Sequence, residues 1–352
     1  VATISVSQLK TGEKISDNVL TKAGNILFNK GKIVTEKDIE ILKAFLIPAV
    51  SIESKGNDPE DNNDPIIEEA NNSILPFYEQ YDKLLTLLKR VFTSVGGQNF
   101  PILEVRTRLE ALLQHIDQYQ ILTFSPKTFQ LNDFLLHNSI MVSLTSFSLA
   151  RWHGLASKDL MPVAISGLLH DIGNAKVDPG ILFKPNKLNP SEIEEMKQHT
   201  SIGYGLLKNV AAINEGVKLT AIQHHEREDG SGYPLGIKGD QIHLYSKIVA
   251  ISDIFHAMTS DRFHKKAASP YLVLDQLFTD SFGKLDPALV QTFIQKVTQF
   301  HNGVLVKLSD KRIGEIVFSD RANPTRPWVN VNGQIINLTT ERSLYIQDVI
   351  QK

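Results

Sequence analysis

MPVAISGLLHDIGN, residues 161–174, is an apolar helical run that ends on a histidine and an aspartate. Two ionisable side chains at the end of a buried helix are costly unless they are paired or bind a ligand. Neighbouring side chains on a helix diverge by roughly 100°. His170 and Asp171 therefore share one centre most easily where the helix stops, and Gly173 supplies that break. Reading outward, similar residues recur on either side. His137 lies in the helical stretch LNDFLLHNSIMVSL, with Asp133 one turn before it on the same face, so both could reach one ion. His199 follows Asn189-Pro190-Ser191-Glu192, a helix start with an Asn cap and Pro at the first position. His224-His225 closes VKLTAIQ and enters the turn DGSGYP. Asp253 sits in YSKIVAISDIFHAM on a face with Val249, Ala250 and Ala257, where an unpaired carboxylate would cost several kcal/mol. His256, three residues on, could join the centre or orient Asp253.

Taken singly, each of these residues has a bland explanation; a lone helical histidine is more often a satisfied core residue than a ligand. Together they form the nitrogen and oxygen donor set of a non-thiol metal site. Even without Asp133 and His256, the seven remaining groups exceed the needs of one ion, which suggests a multinuclear centre of the kind that cleaves phosphate esters.

The composition narrows the setting. The chain has 352 residues, 42% of them hydrophobic and 22% charged, with net charge −2. That is room for two or three domains, and it gives no reason to expect binding to nucleic-acid polymers or anionic lipid. There is no cysteine, so any metal is held by nitrogen and oxygen alone. No apolar run is long enough to span a bilayer, and no charged head followed by an apolar stretch opens the chain. The expectation is a soluble cytoplasmic protein.

The expected fold is multidomain and mainly α. Residues 1–53 read as a small α/β domain: Val19-Leu20 and Ile26 to Phe28 flank a Gly24-Asn25 turn, Thr35 and Asp38 make a capping box, and residues 47–52 form a closing strand. Residues 54–72 are acidic and Asn-rich and read as a linker. Residues 73–301 follow the helical period; Tyr81, Leu84, Leu85 and Leu88 form one stripe, and Leu103, Val105, Leu109, Leu112 and Leu113 another. Residues 302–352 read as a small β-barrel-like module of about five strands, with Asn332-Gly333 as a tight turn.

The motif strings resemble the HD-GYP family of cyclic di-GMP phosphodiesterases, a branch of the HD phosphohydrolases. HDIG at 170–173, IL.KP..L at 181–188, HxxxG at 199–203, HHERxDGSGYP at 224–234 and SDR at 260–262 stand in the family's order, and the N-terminal stretch is similar to a small domain found before such modules. The resemblance implies an all-helical HD-type bundle and makes His137, His170, Asp171, His199, His224, His225 and Asp253 ligands of two divalent ions, Fe or Mn, with Asp171 bridging and catalytic. A third ion is left open, with Asp133 as its extra acidic ligand. Arg262 and Lys265 match substrate-phosphate contacts. Gly232 and Tyr233, with Pro234, form the signature loop, which shapes the pocket or receives a diguanylate cyclase partner. A homodimer is among the expectations. The implied reaction is hydrolysis of cyclic di-GMP to linear pGpG and on to GMP by a metal-bridged hydroxide.

The departures are informative. The usual HDIGK is here HDIGN, so Asn174 stands where a lysine beside the scissile phosphate is expected, with Lys176 two residues on as a substitute. Phe263-His264 replaces the usual Pro-Tyr after SDR. Two alternatives follow: an HD-type hydrolase of another cyclic nucleotide, and a non-catalytic cyclic-dinucleotide sensor or scaffold.

Overall fold

A computed structural model describes residues 2–6, 8–20, 26–45, 47–53, 65–96, 100–127, 130–261, 266–299 and 303–350. The chain separates into two compact units, one formed by residues 1–73 with 300–352 and the other by residues 74–299.

In the first unit, β1 (Ala2–Ser5) pairs antiparallel with β4 (Ala49–Ile52), and β2 (Val19–Leu20) pairs with β3 (Ile26–Phe28). Between them lies α1 (Glu36–Ala44), opened by the expected box: Thr35 accepts from the Asp38 N–H, and the Asp38 carboxylate accepts from the Thr35 N–H. The Gly24-Asn25 turn lies outside the described residues. The C-terminal segment contributes β5 (Leu305–Leu308), β6 (Ile313–Phe318), β7 (Trp328–Val331), β8 (Gln334–Asn337) and β9 (Ile346–Ile350). They form an antiparallel sheet in the order β8-β7-β6-β5-β9. The Asn332-Gly333 turn is as expected, with both residues at positive φ and Val331 opposite Gln334.

The barrel-like expectation is not met. No ladder among the described residues joins β8 to β9, and the sheet is open. Its apolar residues are covered differently: Leu305, Ile313 and Ile350 join Val6, Ile15, Val34, Leu42 and Val50 in one buried cluster. The two terminal segments thus share a core, where the sequence suggests two separate modules. Short strands of four to six residues cannot bury a face alone, and here the partner comes from the opposite end of the chain.

The second unit is helical. α2 (Pro65–Ser94), which belongs to it from residue 74 onward, runs for 30 residues and begins inside the stretch read as linker. Pro65 at its first position with Glu68 in its first turn is itself a helix-start pattern, masked by the acidic composition. After it come α3 (Ile102–Leu113), α4 (Phe134–Trp152), α5 (Ser157–Leu169), α6 (Pro179–Leu182), α7 (Pro190–Lys197), α8 (His199–Leu207), α9 (Glu215–Gln223), α10 (Leu244–Thr259), α11 (Pro270–Asp280) and α12 (Pro287–Thr298). The α2 stripe is buried as expected. In α3 Val105, Leu109, Leu112 and Leu113 are buried as expected, but the first member of the stripe is Ile102, and Leu103 is 72% exposed.

α4 is the central helix, packed against α5 and α10 and buried along nearly its whole length from Leu136 to Ala150. Its closest approach to α5 uses small residues. A Cβ on Gly167 would lie 2.8 Å from Ser143 Cα, and the Ser143 hydroxyl donates to the Ala164 carbonyl. That close packing brings the start of α4 and the end of α5, which carry His137 and His170, to the same end of the bundle.

Candidate metal centre

Helix ends place the donors. His170 directly follows α5, Asp171 precedes a 3-10 turn at Ile172–Lys176, His199 opens α8, and His224-His225 follows α9. Asp253 faces inward from the middle of α10. Three imidazoles are oriented in the same way. Each directs Nδ1 to a backbone carbonyl three or four residues earlier: His170 to Gly167 at 2.8 Å, His199 to Met196 at 2.6 Å and His224 to Thr220 at 3.0 Å. A carbonyl only accepts, so Nδ1 carries a proton in each, and each ring, when neutral, presents the Nε2 lone pair.

These lone pairs converge on Asp171. Its Oδ1 lies 3.3 Å from His199 Nε2 and 3.6 Å from His224 Nε2, and its Oδ2 lies 3.5 Å from His170 Nε2. His170 Nε2 is also 3.5 Å from Asp253 Oδ1. Donor atoms of Asp171, His199, His224 and His225 all fall within 4.8 Å of one another. His199 Nε2 and His224 Nε2 face each other at 3.3 Å, with both ring protons already engaged elsewhere. Two opposed lone pairs beside a carboxylate are a repulsive arrangement that a shared cation turns attractive, so the donor set fits divalent metal ions.

The electrostatics agree. Burial depresses the His224 pKa, and burial with the neighbouring His224 charge depresses that of His225 well below the usual imidazole value, leaving both neutral and ready to ligate. Burial would also lower His170, but Asp171 and Asp253 outweigh it and raise that imidazole to about 9. Burial pushes the Asp171 carboxyl up, yet His170, His224 and His199 together hold it well below the carboxylate range. Asp253 is lowered in the same way, chiefly by His170.

Beside the cluster is a cavity of about 310 Å³ whose wall includes Asn138, Asp171, Asn174, His199, His225, Tyr233 and Asp253. Tyr233 stacks on His225, with ring centroids 4.7 Å apart. Gly232 is required by close approach, since a Cβ there would collide with the backbone of His225, Glu226 and Arg227. Asn174 lines the cavity, with its Oδ1 buried and lacking a hydrogen-bond partner.

Other expected site residues lie elsewhere. Lys176 is exposed beside Gly96 and is not on the cavity wall, so it does not stand in for the missing lysine. Asp133 pairs with Lys89 at 2.7 Å. His137 is fully buried with Nδ1 3.0 Å from the Tyr81 hydroxyl, and it belongs neither to the four-residue cluster nor to the cavity wall. Arg262 and Lys265 lie outside the described residues, as does the Phe263-His264 pair.

The sequence reading missed several supports. Asn138 donates to Asp253 Oδ1 at 3.0 Å. Glu226, inside the HHEREDGSGYP string, accepts from the N–H groups of Leu235 and Gly236 and ties the signature loop to its start. His256 is turned away from both roles considered for it: Nε2 lies 2.7 Å from the Thr145 hydroxyl and 3.2 Å from that of Tyr119.

Burial lowers His256 to about 3, against the pull of Asp253. Its folded pKa lies below the unfolded value, so the unfolded state binds the extra proton as pH falls through about 6.5, and stability is lost in that direction. Replacing it by glutamine is expected to lessen the loss of stability between about pH 7.5 and about pH 5 by roughly 2 kcal/mol. Urea denaturation of metal-free protein at the two pH values measures this; equal losses in parent and variant would remove His256 as the cause.

Residues 119–289 of the bundle, which carry the His/Asp centre, match the HD domain family, and the HDIG and GYP strings resemble those of the HD-GYP group. The cyclic di-GMP phosphodiesterase PA4108 of Pseudomonas aeruginosa is 30% identical over 200 residues, which is 57% of this chain and 48% of that protein. The cyclic di-GMP phosphodiesterase response regulator RpfG of Xanthomonas campestris pv. campestris is 37% identical over 144 residues, covering 40% of this chain and 38% of that protein. The chain therefore spans about half or less of the length of these relatives. Among solved structures, Bd1817, a HDG"Y"P protein from Bdellovibrio bacteriovorus, matches with a TM-score of 0.50 at 17% identity, over 83% of this chain and 97% of that one. That likeness is one of fold. No helix among the described residues is long and apolar enough to cross a membrane.

Proposed function

We propose that this protein is a metal-dependent phosphodiesterase that hydrolyses cyclic di-GMP to linear pGpG and onward to GMP. The observation that carries the reading is the convergence of three backbone-oriented imidazoles on the Asp171 carboxylate beside an accessible cavity. Bound divalent cations, iron or manganese by the donor chemistry, would supply Lewis acidity and a water that ionises near neutral pH. His170, His199, His224, His225, Asp171 and Asp253 hold them; His137 and Asp133 are the further ligands that the resemblance adds. Asp171 and Asp253 also make the cavity electronegative, so a phosphodiester enters only when that charge is offset. Tyr233, stacked on His225, closes one side of the cavity and offers a ring face to a base. Arg262 and Lys265 would grip the phosphates. The signature loop is the surface for a diguanylate cyclase partner, a homodimer is the proposed assembly, and the cytoplasm is the proposed setting.

The test is metal content and cyclic di-GMP turnover on one sample, with products separated by chromatography. Metal-loaded protein that leaves cyclic di-GMP intact would overturn the reading. Asn174 favours one alternative, an HD-type hydrolase of another cyclic dinucleotide, because a neutral carboxamide lies on the cavity wall where the family carries a charge. A substrate panel separates the two. If cyclic di-GMP is the substrate, Asn174→Lys is expected to raise its turnover about tenfold by restoring charge beside the developing phosphorane. An unchanged rate would show that the lysine is dispensable in this pocket.

A further inference from the structure

Asn138 stands next to His137 on α4 and is 2% exposed. Its side chain is fixed at one end. Nδ2 donates to Asp253 Oδ1 at 3.0 Å, and a carboxylate cannot donate back, so the amide has only one acceptable orientation. That same Asp253 oxygen lies 3.5 Å from His170 Nε2, so Asn138 and His170 share Oδ1, and Oδ2 is left for other work. The other end of the amide, Oδ1, is buried and has no hydrogen-bond partner within the protein, although Asn138 lines the cavity with Asp171, His225 and Asp253. A buried acceptor left unpaired costs about 1–3 kcal/mol, and an asparagine keeps that cost where a partner arrives with the ligand.

The partner must be a donor. The oxygens of a phosphodiester are acceptors and are repelled by a carbonyl oxygen, so Asn138 does not grip the phosphate. The donors available at such a site are a water, a ribose hydroxyl and a base N–H. Asn138 is held to Asp253 and shares the cavity wall with Asp171, so a water beside these carboxylates is the donor closest to its free oxygen.

Resting on the phosphodiesterase reading, we propose that Asn138 is a two-ended positioning residue: its N–H fixes Asp253, and its carbonyl oxygen receives a hydrogen bond from the water that attacks phosphorus. The attacking water would give its first proton to solvent on ionising and keep its second pointed at Asn138, which leaves a lone pair directed at the phosphorus atom; as the new P–O bond forms, the P–O3′ bond breaks and the ribose oxygen takes up a proton from solvent. Nothing is transferred to Asn138, and the amide is unchanged over the cycle.

The experiment compares full-chain parent and Asn138→Leu, which keeps the branched shape, is bulkier, and lacks both donor and acceptor. Direct Mn(II) titration, independent of turnover, is expected to show affinity weakened about 10- to 100-fold as Asp253 loses its support. With Mn(II) saturating, kcat for cyclic di-GMP is expected to fall about 100-fold with KM within about threefold, the split that an orientation role produces. The loss should persist with a 2′-deoxy cyclic di-GMP analogue. Unchanged Mn(II) affinity overturns the Asp253 half of the proposal. A loss confined to KM, or one that vanishes with the deoxy analogue, overturns the water half and assigns the oxygen to the sugar. Asn138→Ser, which is smaller and still polar, is expected to move in the same direction by less, and it serves if the leucine variant does not fold. If neither parent nor variant cleaves cyclic di-GMP, the function reading fails, and the titration alone still decides whether Asn138 supports Asp253.

Discussion

Replacing Asp171 with alanine is expected to strip the centre of metal and to lower turnover by at least ~10³-fold. Three imidazole nitrogens approach this one carboxylate within 3.3–3.6 Å. Its two oxygens divide the work, Oδ1 toward His199 and His224 and Oδ2 toward His170. Alanine leaves three buried rings facing one another with no negative charge among them but Asp253. Asp171→Asn keeps the shape and removes the charge, so it separates the two contributions; it is expected to lose nearly as much, because a neutral amide neither bridges cations nor offsets them. Metal analysis after dialysis, together with chromatographic turnover, checks both variants. Retention of full metal content by the alanine variant would remove Asp171 from the centre.

The second large effect is expected at Gly173. Read from the sequence, this glycine ends a helix. In the structure the chain continues past it as a 3-10 turn, and Gly173 is needed because α8 runs directly against it. A Cβ at this position would collide with the His199 carbonyl and come within 2.7 Å of the Gly203 nitrogen. Both obstacles are backbone, so no side chain can rotate away. Gly173→Ala is therefore expected to cost about 3 kcal/mol or more and to displace His199 from Asp171. Urea denaturation and metal affinity measured on the same variant test the two consequences. An alanine variant as stable as the parent would show that α8 can move aside freely.

How much of this was visible in the sequence depended on where the information resides. The residues that gather at the cluster could be read directly, because unpaired His170, Asp171 and Asp253 on apolar runs demand an explanation. The Asn189-Pro190 helix start was equally plain, and Asn189 and Glu192 form a full capping box. Local turns followed from local chemistry, as at Asn332-Gly333. The supporting residues were hidden, because each is remote in sequence from what it supports. Tyr81 reaches His137 from α2, Asn138 reaches Asp253 from α4, and Tyr119 and Thr145 claim His256. The apolar period gives no hint that a buried tyrosine or asparagine is a partner. The start of α2 was obscured because acidic, Asn-rich composition outweighed the helix-start pattern at Pro65. The shared core of the terminal segments was invisible for a further reason: no short-range pattern records which distant strand covers an apolar face.

The backbone carbonyls of Gly167, Met196 and Thr220 fix the proton positions of three histidines. A carbonyl belongs to every amino acid, so no single substitution at those three positions deletes the group that sets the ring's tautomer. The layer that orients these three rings is thus written in helix geometry and is largely shielded from point mutation. Sequence drift around the site can then change the cavity wall, as at Asn174, without disturbing how the ligands are aimed. The wall of the cavity and the aim of the donors are thus free to vary independently of each other.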